Sequence, residues 1–235
     1  MTLQGQVALV TGAGSGIGAA IARALSAEGA TIVLCGRRAE ALANVAKTLD
    51  GAHMCVTCDV RDEAQIRNAV EDTVGKLGRL DILVNNAGVF DQMPIEETTT
   101  EFWDDMLATN LRGPYLFARY AWEFLKASHG QVLNLSSVAG TQAFSGSSAY
   151  CASKFGLNGL SAVLALEGKE HRIRVHSVCP ASIETDMWLK GADQATRDRM
   201  MKPEQVADVV RWLLTSPRNL DIPQVVISNF HSPFA

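Results

Sequence analysis

Residues 11–18, Thr11-Gly12-Ala13-Gly14-Ser15-Gly16-Ile17-Gly18, set four glycines in eight positions, straight after an apolar run and straight before a stretch of helical period. Small residues at this spacing let a strand turn sharply into a helix. The first backbone N–H groups of that helix then stay open to an anion that approaches closely, and the helix dipole adds to the attraction. A strand, a glycine-rich turn and a helix in this order begin a β-α-β unit that suits a pyrophosphate. The rest of the chain is therefore expected to alternate strands and helices around a parallel sheet.

Apolar runs at residues 6–11, 31–35, 52–57, 81–84, 131–135, 173–178 and 224–227 predict seven strands. Segments 16–28, 40–49, 62–77, 100–126, 149–167 and 203–215 read as helices, the fourth of them as one long helix or two. Gly29 is placed to end the first helix, Asp62 to cap the third and Pro203 to start the last. The expected fold class is α/β: a Rossmann-type, doubly wound, seven-stranded parallel sheet with helices on both faces, in a single domain over residues 1–235. Its cofactor-binding part spans about 1–140 and its catalytic and substrate part about 137–235. Segment 187–201 is the least regular and is read as a mobile lid.

Composition removes several function classes. Lys plus Arg number 21 against 25 Asp plus Glu, a formal charge of −4, so no general field favours nucleic acid. The start carries no basic segment followed by a long apolar run, and no stretch reaches the roughly 18 apolar residues of a bilayer span. A cytoplasmic protein is expected. Cys35, Cys55, Cys58, Cys151 and Cys179 are an odd, scattered set. The CxxC at Cys55 and Cys58 lies in an apolar strand-like run with no second ligand pair, so reduced thiols and no metal site are expected.

About 20 residues beyond the glycine loop, a carboxylate would bind the adenosine ribose of NAD(H), whereas a cation suits the 2′-phosphate of NADP(H). The chain has Gly36-Arg37-Arg38 there. Guanidinium pairs with phosphate through charge-assisted hydrogen bonds, which favours NADP(H). Solvated surface charge is the alternative, chiefly for Arg38.

Tyr150-Cys151-Ala152-Ser153-Lys154 sets a phenol and an ammonium at i and i+4, on one side of a helix. A nearby cation favours phenolate, so the lysine is expected to lower the tyrosine pKa and fit it for general acid/base work. Ser136 and Ser137 follow the strand at 131–135, where open α/β sheets hold their ligands.

TGAGSGIG, the Asn85-Asn86-Ala87-Gly88 run, Asn110, Ser137 and YCASK together resemble the short-chain dehydrogenase/reductase family, over essentially the whole chain. The resemblance implies that Tyr150 exchanges a proton with a carbonyl or alcohol oxygen, that Lys154 also holds the nicotinamide ribose, and that Ser137, favoured over Ser136 by strand alternation, binds the substrate oxygen. It implies that Asn110 bends a helix and positions a water linked to the lysine. It also implies cofactor contacts at Gly12, Gly14, Ser15, Gly16, Ile17 and Gly18, at Asp59 with Val60, at Asn86, Ala87 and Gly88, and at Pro180, Ala181, Ile183 and Thr185. Asp59 has helix capping as its alternative, and Ala181 stands where the family pattern has glycine.

The activity implied is NADPH-dependent reduction of a ketone or aldehyde, or the reverse. A 3-oxoacyl-[acyl-carrier-protein] reductase, with Arg112, Arg119, Lys190 and Arg197 as a basic patch, is the alternative within enzymes. A non-catalytic NADP-binding sensor is the alternative outside them. Trp188 and Phe144 are available to line an apolar pocket, and apolar residues around the helices at 103–126 and 149–167, with the tail at 230–235, suggest a homo-oligomer, dimer or tetramer.

Overall fold

The computed structural model describes residues 2–185 and 193–230. Seven parallel strands form one sheet in the order β3-β2-β1-β4-β5-β6-β7: β1 Val7–Thr11, β2 Thr31–Gly36, β3 His53–Thr57, β4 Ile82–Asn85, β5 Gln131–Leu135, β6 Arg174–Pro180 and β7 Gln224–Ile227. Parallel neighbours need crossovers, and helices supply them: α1 Gly16–Ala27, α2 Ala39–Ala46, α3 Glu63–Leu77, α4 Thr100–Leu107, α5 Gly113–Ser128, α6 Ser148–Gly168 and α8 Pro203–Thr215, with the short α7 Gln194–Arg197 before the last. The predicted fold class holds.

Both faces of the sheet are covered, which is why the central strands read as continuous apolar runs. In β1, Ala8 and Val10 point to a core shared with Ile21 and Leu25 of α1 and with Val210 and Leu213 of α8. Val7 and Leu9 point the other way, to Ile66 and Val70 of α3 and to Phe117 and Ala121 of α5. The edge strands β3 and β7 alternate in burial, as half-covered strands do.

The helix signals mostly behave as predicted. Asp62 accepts the N–H of Gln65 at the head of α3, and Gly29 follows α1 with φ +91°. Thr99 caps α4 in the same way as Asp62, a cap the sequence reading did not single out. The segment predicted as a helix at 40–49 is shorter, closing at Ala46 as Thr48 turns its hydroxyl onto the Val45 carbonyl. The 100–126 segment divides into α4 and α5, joined by a π-helical turn at Ala108–Arg112. Of the expected lid, residues 187–192 lie outside the described residues. The remainder includes α7 and returns to the sheet at Met201, whose N–H donates to Ser182. No helix among the described residues is long and apolar enough to cross a membrane.

Candidate active site

The strand order reverses between β1 and β4, so the chain leaves their carboxyl ends in opposite directions and opens a crevice. A cavity of about 930 Å³ fills it. One end is the glycine loop. Asn86 braces this loop by donating its side-chain amide to the carbonyls of Thr11 (2.8 Å) and Gly12 (3.3 Å), while the Thr11 hydroxyl takes the N–H groups of Asn86 and Ala87 at 3.0 Å. The spacing of the loop now has a steric reason. A Cβ on Gly12, at φ +66°, would lie 2.9 Å from Ala87 Cα, and one on Gly18 would lie 2.4 Å from the Gly12 carbonyl oxygen.

Ser15 precedes α1 in extended backbone without capping it through its side chain, and the first turn of α1 contains no acidic residue. The positive helix end therefore faces the cavity, which fits a phosphate group. Gly14, Gly16 and Ile17 complete this wall, and Thr185 sits over Gly16, its Cγ2 3.2 Å from where a Cβ would be.

Arg37 and Arg38 line the same cavity beyond the tip of β2, with an Arg38 guanidinium nitrogen 3.4 Å from the Ser15 hydroxyl. Asp59 and Val60 face them from the end of β3. Asp59 does not cap α3. Its carboxylate takes both Nε and Nη2 of Arg61, which holds it below the usual carboxylate range, with a further pull from Arg37. Arg61 in turn reaches Asp105 at 3.1 Å, a link with no signal in the sequence.

At the other end, Ser137, Tyr150 and Lys154 meet. Residue alternation separates the two serines: Ser136 is buried with its hydroxyl toward the Lys154 carbonyl, whereas Ser137 starts a single turn of 3-10 helix, Val138–Gly140, and accepts the Ala139 N–H at 3.1 Å. Lys154 is 5% exposed; its Nζ donates to the Leu135 carbonyl at 2.9 Å and lies 5.7 Å from the Tyr150 ring centroid.

Burial sets the electrostatics here. It pushes Lys154 down to about 8, Cys179 opposing slightly, and pushes Tyr150 up to about 12 against a smaller downward pull from a hydrogen bond with Ser137. On balance the phenol is thus raised, where the sequence led to the expectation of a lowered value. The desolvation of the ring outweighs a lysine held on a backbone carbonyl.

Asn110 does not line the cavity. It is buried behind it in the π-helical turn, its Oδ1 accepting the Val89 N–H at 2.8 Å and its Nδ2 donating to the Val89 carbonyl at 2.9 Å and to Ser153 at 3.2 Å. At Asn110 the helix departs from α geometry as a π-helical turn. The amide staples the loop after β4 to α6 beside Lys154.

Pro180, Ala181 and Ile183 close the side at β6. Ala181 needs no positive φ, and its N–H donates to Ile227 of β7, so the missing glycine costs this turn nothing. Val89, Phe90, Gln92 and Ser147 also line the cavity and escaped the sequence reading; Ser182, beside Ala181, lines it too, as does Phe144, which the sequence named only as available to such a pocket. Trp188 and Lys190 lie outside the described residues. Among the described residues no cluster suits a metal ion.

Comparison with known proteins agrees with this geometry. A family model described as short chain dehydrogenase matches residues 6–196. D-threitol dehydrogenase from Mycolicibacterium smegmatis is 42% identical over 204 residues, which cover 85% of this chain and 78% of that one. The 3-oxoacyl-[acyl-carrier-protein] reductase FabG of Thermotoga maritima is 34% identical, over 96% of this chain and 97% of its own. Among solved structures, a short-chain oxidoreductase of metagenomic origin in complex with NADP superimposes with a TM-score of 0.85 at 37% identity, covering 97% of this chain and 98% of that one.

Proposed function

The chain belongs to the short-chain dehydrogenase family, and from that premise we propose that it is an NADP(H)-dependent oxidoreductase that interconverts a small ketone or aldehyde and its alcohol, with Tyr150 as general acid/base. The observation that carries this reading is the convergence of Ser137, Tyr150 and Lys154 on the cavity that also contains the glycine loop.

Gly12, Gly14, Ser15, Gly16, Ile17 and Gly18 would hold the pyrophosphate of the nucleotide, with Asp59, Val60, Asn86, Ala87 and Gly88 along its adenosine side. Arg37, with Arg38 beside it, would pair with the 2′-phosphate. NADP in the metagenomic relative supports the same choice. Pro180, Ala181, Ile183 and Thr185 would flank the nicotinamide, which supplies or takes up the hydride.

In reduction, Tyr150 gives its phenolic proton to the carbonyl oxygen as negative charge grows there. Ser137 donates a hydrogen bond to that oxygen and stabilises the charge from a fixed position. Lys154, cationic below pH about 8, steadies the phenolate left behind and holds the ribose hydroxyls. Asn110 acts by positioning, since its side chain fixes Val89 and Ser153 rather than reaching the cavity.

The acyl-carrier alternative needs a basic surface. Arg112 and Arg119 both pair with Glu63, which removes two of its four cations. A non-catalytic sensor has no use for a half-buried phenol beside a buried serine and lysine. Exposed Tyr115, Phe155, Val163 and Leu166 on α5 and α6 form an apolar face that suits a second copy, so a dimer or tetramer is part of the proposal.

A single screen tests it. Purified protein is mixed with NADPH and with ketones, 3-oxoacyl thioesters, quinones and sugars, and NADPH oxidation is followed by absorbance. Turnover of small ketones or sugars is expected. NADPH binding without oxidation across the panel would move the protein to the sensor class, and a preference for thioesters would move it to the carrier-protein class.

A further inference from the structure

Ser147 stands one helical turn before Tyr150 at the head of α6, so the two side chains share a helix face, and both line the cavity. It is 3% exposed. Serine in the N-cap position ordinarily spends its oxygen on the helix backbone, yet Ser147 makes no such bond. It accepts the side-chain amide of Gln92 at 3.1 Å instead. The Met93 N–H donates to the Gly146 carbonyl at 2.8 Å, and Met93 bridges Ser147 in parallel, so the two loops are fastened across the cavity mouth. Among the described residues, no acceptor takes the Ser147 hydroxyl proton.

The neighbouring wall is apolar: Val89, Phe90, Val138, Ala139 and Phe144, with the Phe90 ring edge-on to Tyr150 at 4.8 Å. A serine with a free proton and an amide with an unspent carbonyl are therefore set into apolar surroundings beside the reacting phenol. Side chains one turn apart on a helix have Cβ atoms about 5–6 Å apart. Two oxygens on adjacent carbons span that gap when each takes a hydrogen bond of about 2.8 Å.

Resting on the carbonyl–alcohol reading above, we infer that Ser147 and Gln92 recognise a hydroxyl on the carbon next to the reacting one. The substrates of this class are vicinal diols and the matching 2-hydroxy carbonyl compounds. Sites built to bond a substrate hydroxyl discriminate strongly against the analogue that lacks it.

The test compares 3-hydroxybutan-2-one with butan-2-one, which differ by that hydroxyl, using whichever of NADPH and NADH the wild type oxidises. The wild type is expected to favour the hydroxyketone by about 100-fold or more in kcat/KM. Ser147→Ala should cut that ratio about tenfold or more, and Ser147→Thr, which keeps a hydroxyl, should restore much of it. Ser147 does not cap α6, so the alanine variant should fold; melting curves check this, and Gln92→Leu on an exposed loop gives an independent reduction of the ratio. An equal ratio in the wild type and both deletion variants, or a wild type that prefers butan-2-one or an acetoacetyl thioester, would overturn the inference alone. If neither ketone, thioester nor any other carbonyl is reduced while the nucleotide binds, as read by its fluorescence, the carbonyl–alcohol reading falls and this inference falls with it.

Discussion

The Lys154 ammonium donates to the carbonyl of Leu135 at 2.9 Å while lying 5.7 Å from the Tyr150 ring, so a single strand end holds the cation that serves the phenol on the neighbouring helix. The cation is close enough to act on a phenolate and is not bonded to the neutral hydroxyl. In this arrangement Lys154 stays charged below pH about 8 and Tyr150 stays protonated below about 12. The kcat/KM for carbonyl reduction should be level at lower pH and fall as pH rises through about 8, because loss of the lysine proton removes the charge that stabilises phenolate. Lys154→Met should be slow at every pH and lack that inflection, as stopped-flow or steady-state pH profiles will report.

Tyr150→Phe removes the proton and little volume. Turnover is expected to fall by about 10²–10⁴-fold, the usual worth of general acid catalysis, with nucleotide affinity held within a few-fold. Retention of near-wild-type turnover would remove Tyr150 from its role.

Arg37→Asp replaces a cation in the adenosine end of the cavity with a carboxylate. The ratio of kcat/KM for NADPH to that for NADH should drop by tenfold or more, since phosphate and carboxylate repel. An unchanged ratio would mean that the 2′-phosphate is read elsewhere.

Gly140 lies against α6 where a Cβ would be 2.7 Å from the Lys154 carbonyl oxygen and 2.6 Å from Asn158 Nδ2. Asn158 also donates to the Gly140 carbonyl at 2.9 Å and accepts the Ser177 hydroxyl at 2.7 Å, so it clips the turn that begins at Ser137 onto the helix that carries Tyr150. Gly140→Ala should lower kcat about tenfold with KM for the nucleotide little changed. Asn158→Ala should do the same and also lower Tm by a few degrees, since it strands a buried hydroxyl.

His176 is buried in β6, its Nδ1 on the Ile222 carbonyl at 2.7 Å and its Nε2 without a partner among the described residues. Burial holds its pKa below the ordinary 6.5. The unfolded chain therefore takes up the proton first: stability is present in full above pH about 6.5 and is lost as pH falls from there toward the lower folded-state value, at up to about 1.4 kcal/mol per pH unit. Denaturant titrations between pH 8 and 5 should show this loss, and His176→Gln should flatten it.

The strands, the glycine loop and the Asp62 cap were legible because each depends on neighbours within a few positions; Ser137, Tyr150 and Lys154 were named from motifs spread along the chain, and the fold brings the three to one cavity. The π-helical turn at Asn110 was not, since an extra residue in a helix leaves no periodic trace five residues long. Nor were Ser147 with Gln92, or Asn158 with Gly140: those pairs are 55 and 18 positions apart, and only the folded sheet brings them together. The phenol pKa moved against expectation for a related reason. An i, i+4 spacing reveals that a cation shares the helix face, but not how deeply the ring is buried or which carbonyl has already claimed the cation.

Asn86 ties the glycine loop to the end of β4 through the Thr11 and Gly12 carbonyls. The two segments that must close on a nucleotide are thus already ordered as one piece. Little backbone entropy remains to be lost when a ligand arrives, so affinity at this end should depend on the phosphate and ribose contacts themselves. Asn86→Ala would loosen the loop as well as remove a side chain from the cavity wall, trading a rigid receptor for one that must organise itself at every binding event.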